Sequence, residues 1–172
     1  MNRRQALMSV SAVAAHALFA DVIAAFARTS AAIVDQSAPW QAELFGAEEG
    51  AVLEGVVDTI LPETSSPGAK AARVHVFVDL AASRCLTGPE QQALSDALDQ
   101  LGDGFGRLPT EQRIARLNVM DKTAFATLKE LTLLGYFTSE IGCTQALAYE
   151  AVPGGYRGCV DLKPGQKGWA TR

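Results

Sequence analysis

The spacing of apolar residues after residue 47 predicts an amphipathic helix. Two carboxylates, Glu48 and Glu49, stand in its first turn, where the helix dipole favours negative charge. The apolar positions that follow recur with helical periodicity and are Val52, Leu53, Val56, Val57, Ile60 and Leu61. Pro62 ends the helix, because proline lacks the amide hydrogen that the next helical bond requires.

The next apolar segment, residues 74–80, carries two opposing signals. It is rich in β-branched valine, which is typical of a strand. The residues on either side are rich in alanine and favour a helix. We predict one helix across residues 69–84, and its inward-facing positions are Val74, Phe77, Val78 and Ala81.

Three more helices are predicted before residue 142. The first has Pro89 in its opening turn and ends at Gly102, the second begins near Leu108, and the third covers residues 122–137. Their apolar positions are Leu94, Ala97, Leu98 and Leu101, then Ile114 and Leu117, then Phe125, Leu128, Leu131 and Thr132. The helical body, residues 44–142, is therefore predicted to be all-α.

The segment 143–172 differs in character from the helical body. Its many glycines and prolines argue against a long helix, whereas its aromatic residues need a surface to bury against. We interpret it as an extended docking arm that lies on a larger partner, although a solvated tail without a role is the alternative. The candidate interface residues are Phe137, Tyr149, Tyr156 and Trp169.

The N-terminal residues 1–27 have the pattern of a twin-arginine export signal. Arg3 and Arg4 precede a modestly apolar segment, which is followed by the small-x-small triplet Ala25-Phe26-Ala27. The apolar segment is shorter than the roughly 20 residues that a membrane-spanning helix needs. An amphipathic N-terminal helix or an uncleaved anchor are the alternatives. Residues 28–43 are then a linker between the signal and the helical body.

Composition and charge limit the classes of partner. Without the signal, about 145 residues remain, which is the size of one domain. The whole chain has a formal charge of −4, and loss of Arg3, Arg4 and Asp21 makes it about one unit more negative. An acidic chain with 7% aromatic residues is a poor ligand for nucleic acid or for anionic membrane surfaces.

Three cysteines in an exported protein suggest one disulfide and one further thiol. Cys143 and Cys159 both lie in the Gly- and Pro-containing C-terminal segment, so we predict that these two are paired. On the chain-entropy view such a loop is worth about 3 kcal/mol. Cys85 lies within a helical pattern and is predicted to be a small buried hydrophobe. Three reduced thiols are the alternative.

The chain contains few groups that could carry chemistry. Only His75 remains once the signal is removed, so no pair of imidazoles can bind a metal. Neither a Cys-x-x-Cys-His haem motif nor a phosphate-binding glycine motif is present, and no Gly-x-Ser-x-Gly nucleophile elbow occurs. The sequence therefore predicts no catalytic residue, no metal ligand and no cofactor-binding residue in this chain.

Several short segments, taken in order, resemble the gluconate 2-dehydrogenase subunit 3 family. The resemblance covers about residues 44–162, most of the mature chain. Its strongest segments are Val57-Asp58-Thr59-Ile60-Leu61-Pro62, Val76-Phe77-Val78-Asp79, Gly135-Tyr136-Phe137-Thr138-Ser139-Glu140 and Pro153-Gly154-Gly155-Tyr156. Each segment is short, so the order and spacing of the set carry the resemblance.

This resemblance implies a non-catalytic small subunit of a periplasmic dehydrogenase complex. Its partner would be a large FAD-containing flavoprotein of the glucose-methanol-choline type that oxidises a sugar, glycoside or sugar acid. A c-type cytochrome with haem c would complete some complexes and pass electrons onward, and this chain would be associated with the membrane through the complex. The small subunit would assist folding of the flavoprotein and would carry it through the twin-arginine translocase.

Two further hypotheses belong to other functional classes. The chain could be a stand-alone periplasmic binding or structural module, with a small pocket among its helices. It could also be an independent enzyme, which would require His75 with a nearby carboxylate, or Cys85 as a thiolate.

Overall fold

The computed structural model describes residues 40–152, 154, 155, 159, 161 and 163–170. Within these residues the regular structure is helical, and the predicted all-α class is confirmed. The α-helices are α1 (Ala47–Ile60), α2 (Val74–Cys85), α3 (Gly88–Leu101), α4 (Thr110–Val119) and α5 (Lys122–Thr138). A 3₁₀ turn, Phe105–Arg107, precedes α4, and a π-helical turn, Gly142–Ala146, follows α5.

Helix α1 lies at the centre of the fold and packs against all four other α-helices and the 3₁₀ turn. Its predicted apolar face is confirmed, since Leu53, Val56 and Val57 are completely buried. Ile60 and Leu61 are only half-buried, because the helix ends there at the edge of the core. The burial of this one face brings the rest of the body together.

Helix α2 confirms the helical interpretation of the valine-rich segment, but it starts later than predicted. Residues 69–73 form a turn instead, in which Ala69 N donates to Leu61 O at 2.9 Å. Arg73 has a φ of 51°, the left-handed conformation, and α2 begins directly after it. Val74 and Val78 are buried as predicted, whereas Phe77 and Ala81 are half-buried. Tertiary packing thus overrides the strand preference of valine.

Helix α4 buries a different face from the one that its apolar residues suggest. Leu117 is buried, but Ile114 is 47% exposed. Arg113, one helical turn before Leu117, faces α1 and forms a 2.8 Å ion pair with Asp58. Arg113, the largely buried partner of this ion pair, therefore occupies an inward-facing position on α4.

The prediction that Cys85 is a buried small residue is wrong. Cys85 is the last residue of α2, and its side chain is exposed. Helix α2 ends at this residue, and α3 begins three residues later at Gly88.

Helix α5 closes the body and fixes the proline-rich loop after α1. Leu128 and Thr132 are buried, with Phe125 and Leu131 half-buried beside them. The Tyr136 hydroxyl donates to Pro67 O at 2.5 Å. This bond joins residues 69 positions apart, and it holds the loop against the C-terminal half of α5. No helix within the described residues is both long and apolar enough to cross a membrane.

The N-terminal entry to the body is held by a buried carboxylate. Asp79 on α2 is 1% exposed. Its Oδ2 accepts from Trp40 Nε1 at 3.2 Å and from Glu43 N at 2.9 Å. Its Oδ1 accepts from Leu44 N and Phe45 N, both at 2.9 Å. A buried carboxylate is tolerated only where donors replace its water, and here four donors do so.

Two residues of the predicted linker, Trp40 and Glu43, bond to Asp79 through side chain and backbone respectively. The boundary between linker and body at residue 44 stays a prediction. Sequence reasoning missed Asp79, a single aspartate in the valine-rich face of α2. An unpaired charge there would be costly, which is the clue that it needs partners.

Close backbone packing of α1 against the 3₁₀ turn gives a first prediction. A Cβ added to Gly55 would lie 2.8 Å from Gly106 Cα, closer than van der Waals contact allows. Substitution Gly55→Ala should lower the free energy of unfolding by about 1–3 kcal/mol, although alanine is the better helix former. Gly88→Ala is the matched control, because a Cβ there meets nothing within 4 Å. Chemical denaturation measures both, and equal stability of the two variants would contradict the close packing.

The buried carboxylate gives a second prediction. Substitution Asp79→Ala should lower the free energy of unfolding by about 3 kcal/mol, because four donors lose their buried acceptor. The control is Glu43→Ala, which removes only the exposed Glu43–Arg84 ion pair at 3.1 Å and should cost less than about 1 kcal/mol. If both variants unfold at the same denaturant concentration as the wild type, Asp79 is not the anchor.

Candidate partner-docking surface

The N-terminal segment places an aromatic side chain over the start of α1. The indole of Trp40 lies directly on Gly50, where a Cβ would come within 1.8 Å of the ring. The same ring packs edge to face with His75, with a centroid distance of 5.9 Å and an interplanar angle of 81°. Trp40 therefore contacts both helices. Its ring packs on Gly50 of α1, which has no side chain, and against the His75 imidazole of α2.

His75 is partly buried beneath this indole, and its pKa is lowered from the ordinary value of 6.5. Burial is the main cause, since it penalises the charged imidazolium. Lys70 and Arg73 lower the pKa further, whereas Glu54 and Asp79 oppose the shift. The imidazole is therefore neutral at neutral pH.

Asp79 lies one helical turn after His75, but its carboxylate is engaged elsewhere. Both oxygens of Asp79 are engaged by the N-terminal segment, and His75 Nδ1 is buried without a hydrogen-bond partner. Among the described residues there is no group of three or more His, Cys, Asp or Glu side chains that could hold a metal ion.

The described part of the C-terminal arm exposes large apolar side chains. Tyr149 is 58% exposed, Val152 is 84% exposed and Trp169 is 51% exposed. A parallel bridge between Ala148 and Trp169 brings the two ends of the arm together, with Ala148 N donating to Gly168 O at 2.8 Å. Ala170, next to this bridge, is buried, and Tyr149 follows Ala148 directly in the chain.

A groove of about 920 Å³ lies along this surface. Its lining includes Ala148, Cys159, Asp161, Lys163, Pro164 and Trp169. The arm is therefore shaped as a concave, mainly apolar surface with a few charges at its rim. Such a composition suits a protein partner better than a charged small molecule.

The other predicted interface residues have different surroundings. Phe137 is half-buried and packs edge to face with Tyr136 at a centroid distance of 5.2 Å. Leu134, in the preceding turn of α5, is 51% exposed. Phe137 thus lies at the border between the core and the surface. Tyr156 lies outside the described residues, as do Arg3 and Arg4 of the predicted export signal.

The three cysteines are free thiols in the structure, so the pairing of Cys143 with Cys159 is not formed there and stays a prediction. Cys143, in the π-helical turn, is partly buried, and its thiol donates to Phe137 O at 3.2 Å. Cys159 is exposed on the arm groove.

Comparison with known proteins gives one match. The family model described as Gluconate 2-dehydrogenase subunit 3 matches residues 47–154, which is more than half of the chain. Neither the curated proteins nor the solved structures include a match to the chain. The matched range runs from the first residue of α1 to the part of the arm that follows Val152. The chain belongs to the gluconate 2-dehydrogenase subunit 3 family.

Proposed function

We propose that this chain is the non-catalytic small subunit of an FAD-dependent dehydrogenase complex, and that it supports folding and twin-arginine export of the large flavoprotein. Membership of the subunit 3 family is the observation that carries the proposal. The flavoprotein is of the glucose-methanol-choline type and acts on a sugar, a glycoside or a sugar acid. FAD belongs to that partner, and haem c to a cytochrome subunit where one is present.

The exposed aromatic surface of the arm supports a role in binding a protein. Tyrosine and tryptophan are the residues most enriched at the energetic centres of protein interfaces. Tyr149 and Trp169 are each more than half exposed, and Trp169 lines the arm groove together with Pro164. A protein partner that covers this exposed apolar area would gain the hydrophobic free energy of its burial.

The export role is supported by the N-terminal sequence. Arg3 and Arg4 precede an apolar segment of the length that an export signal needs. The twin-arginine route carries folded proteins, and a flavoprotein must fold around FAD before it leaves the cytoplasm. A small subunit that binds the folded flavoprotein would supply the signal for both chains. The complex would then work in the periplasm, held at the membrane through its other subunits.

The export role gives a third prediction. Replacement of Arg3 and Arg4 by lysine should leave the flavoprotein in the cytoplasm, because the translocase reads the arginine pair and not merely its charge. The matched control is Arg28→Lys, which makes the same change just beyond the predicted signal. Both chains are expressed together, and the flavoprotein is measured in periplasmic and cytoplasmic fractions by its FAD and its activity.

Two outcomes would count against the proposal. Export of the flavoprotein by the double lysine variant would refute the escort role. Failure of the two chains to purify together, with this chain a stable monomer, would favour a stand-alone periplasmic module instead.

The arm surface gives a fourth prediction. Trp169→Ala and Tyr149→Ala should each weaken the complex with the flavoprotein by about tenfold, because an aromatic anchor at an interface is worth roughly 1–2 kcal/mol or more. Ile114→Ala is the control, since Ile114 is 47% exposed but lies on α4 and not on the arm. Affinity is measured by titration of the purified chains. Equal affinities for all three variants would show that the arm does not bind the partner.

A further inference from the structure

We propose that residues Trp40–Glu43 form a releasable strap that docks on α1 and α2, with Asp79 as its lock and Gly50 as its seat. The strap would open and close while the helical body stays folded. The inference goes beyond the proposed function and does not depend on it, because every contact that defines the strap lies within this chain.

The two oxygens of Asp79 hold two different parts of the N-terminal segment. Oδ2 accepts from the Trp40 indole and from Glu43 N, which are the two ends of the strap. Oδ1 accepts from Leu44 N and Phe45 N, which lie directly after it. Loss of the Oδ2 bonds alone would therefore detach the strap and leave the following residues bound.

The residues after the strap are fixed independently of it. Phe45 is 1% exposed and belongs to the hydrophobic core. Gly46 N donates to Glu49 Oε2 at 2.8 Å, which fixes the start of α1. Extraction of Phe45 would cost the burial of a whole aromatic side chain, whereas release of the strap leaves it in place. The natural hinge is thus at Leu44 and Phe45.

The seat of the strap depends on the absence of a side chain at Gly50. The indole of Trp40 occupies the space that a Cβ would fill, with Cη2 at 1.8 Å and Cζ3 at 2.1 Å from that position. An alanine there is compatible with α1, since it is a better helix former than glycine. It would displace Trp40, because the three heavy atoms nearest to the added Cβ all belong to the Trp40 ring. Gly50→Ala therefore opens the strap without a change at the lock.

The remaining contact of the strap is weak. Glu43 pairs with Arg84 at 3.1 Å, but both side chains are close to half-exposed. Exposed ion pairs contribute little, so removal of this pair should leave the strap docked. It supplies the control variant, Glu43→Ala, which retains the backbone N–H that Asp79 accepts from.

Docking also couples the strap to the protonation of His75. The docked indole covers the imidazole edge to face, and burial lowers the His75 pKa below 6.5. The charged groups that face His75 are Glu54 on α1, Lys70 and Arg73 before α2, and Asp79 on α2. His75 binds its proton less tightly in the docked state than in the released state. The docked state therefore becomes less stable as the pH falls below about 6.5.

Hydrogen exchange of the full-length chain, followed by NMR, tests the strap directly. The Trp40 indole N–H and the Glu43 amide both report the Oδ2 bonds, whereas the Phe45 amide reports the residues beyond the hinge. In the wild type, the first two should exchange at least about tenfold faster than amides in the centre of α1, because a local opening exposes them without global unfolding. Trp40 and Trp169 are the only tryptophans, so a Trp169→Phe sample assigns the indole signals.

Two variants open the strap by unrelated routes. Asp79→Asn replaces one acceptor oxygen with an NH₂ group that cannot accept, and Gly50→Ala displaces the indole. Each should accelerate exchange at Trp40 and Glu43 by about tenfold or more, with exchange at the centre of α1 unchanged after Gly50→Ala. Glu43→Ala should leave the Trp40 rate within about twofold of wild type. If Trp40 exchanges at the same rate as the core amides in the wild type, or if Gly50→Ala leaves it protected, the strap does not exist as a separate unit.

The pH dependence provides a second readout that a purely structural contact would not give. The NMR-titrated pKa of His75 should be below 6.5 in the wild type and should rise towards 6.5 in Gly50→Ala. Acid below about pH 6.5 should reduce the protection of the Trp40 indole in the wild type, after correction for intrinsic exchange, but not in His75→Gln. Equal acid sensitivity with and without His75 would overturn the coupling.

Discussion

The Asp79 carboxylate is the interaction on which the N-terminal half of the structure depends. A charge that is 1% exposed must be compensated, and four donors from one short segment surround it. Three of those donors are backbone amides, so the segment has to adopt one conformation to satisfy the carboxylate. That conformation places Phe45 in the core and delivers the chain to the first turn of α1. One acidic residue on α2 therefore fixes the conformation of the segment that leads into α1.

The rest of the body is organised around α1 by close contacts that need small residues. Gly50 receives the Trp40 ring, and Gly55 lies against the backbone of Gly106. The same device recurs on α5, where a Cβ on Gly135 would come within 2.5 Å of the Phe77 ring. At these positions the glycine has no side chain, so a neighbouring group can approach the helix axis. The Arg113–Asp58 ion pair then joins α4 to α1.

The functional picture follows from what the chain presents to its surroundings. Membership of the subunit 3 family gives it a place in a multi-subunit dehydrogenase. The described part of the arm exposes large apolar and aromatic side chains, while the single histidine of the described residues lies under an indole with a lowered pKa. A surface of that kind suits binding of another protein.

The sequence by itself determined the helices, their approximate ends and the family. Helical periodicity and proline or glycine boundaries are local properties, so the faces of α1, α3 and α5 could be identified from spacing alone. The tertiary structure alone decided which of several plausible faces were buried. Ile114 stayed exposed because Arg113 found a partner on α1, and Cys85 stayed exposed because α2 ends there. Asp79 is the clearest case: spacing places it on a valine-rich helix face, but its partners lie 34 to 39 residues earlier, and only the folded chain brings them together.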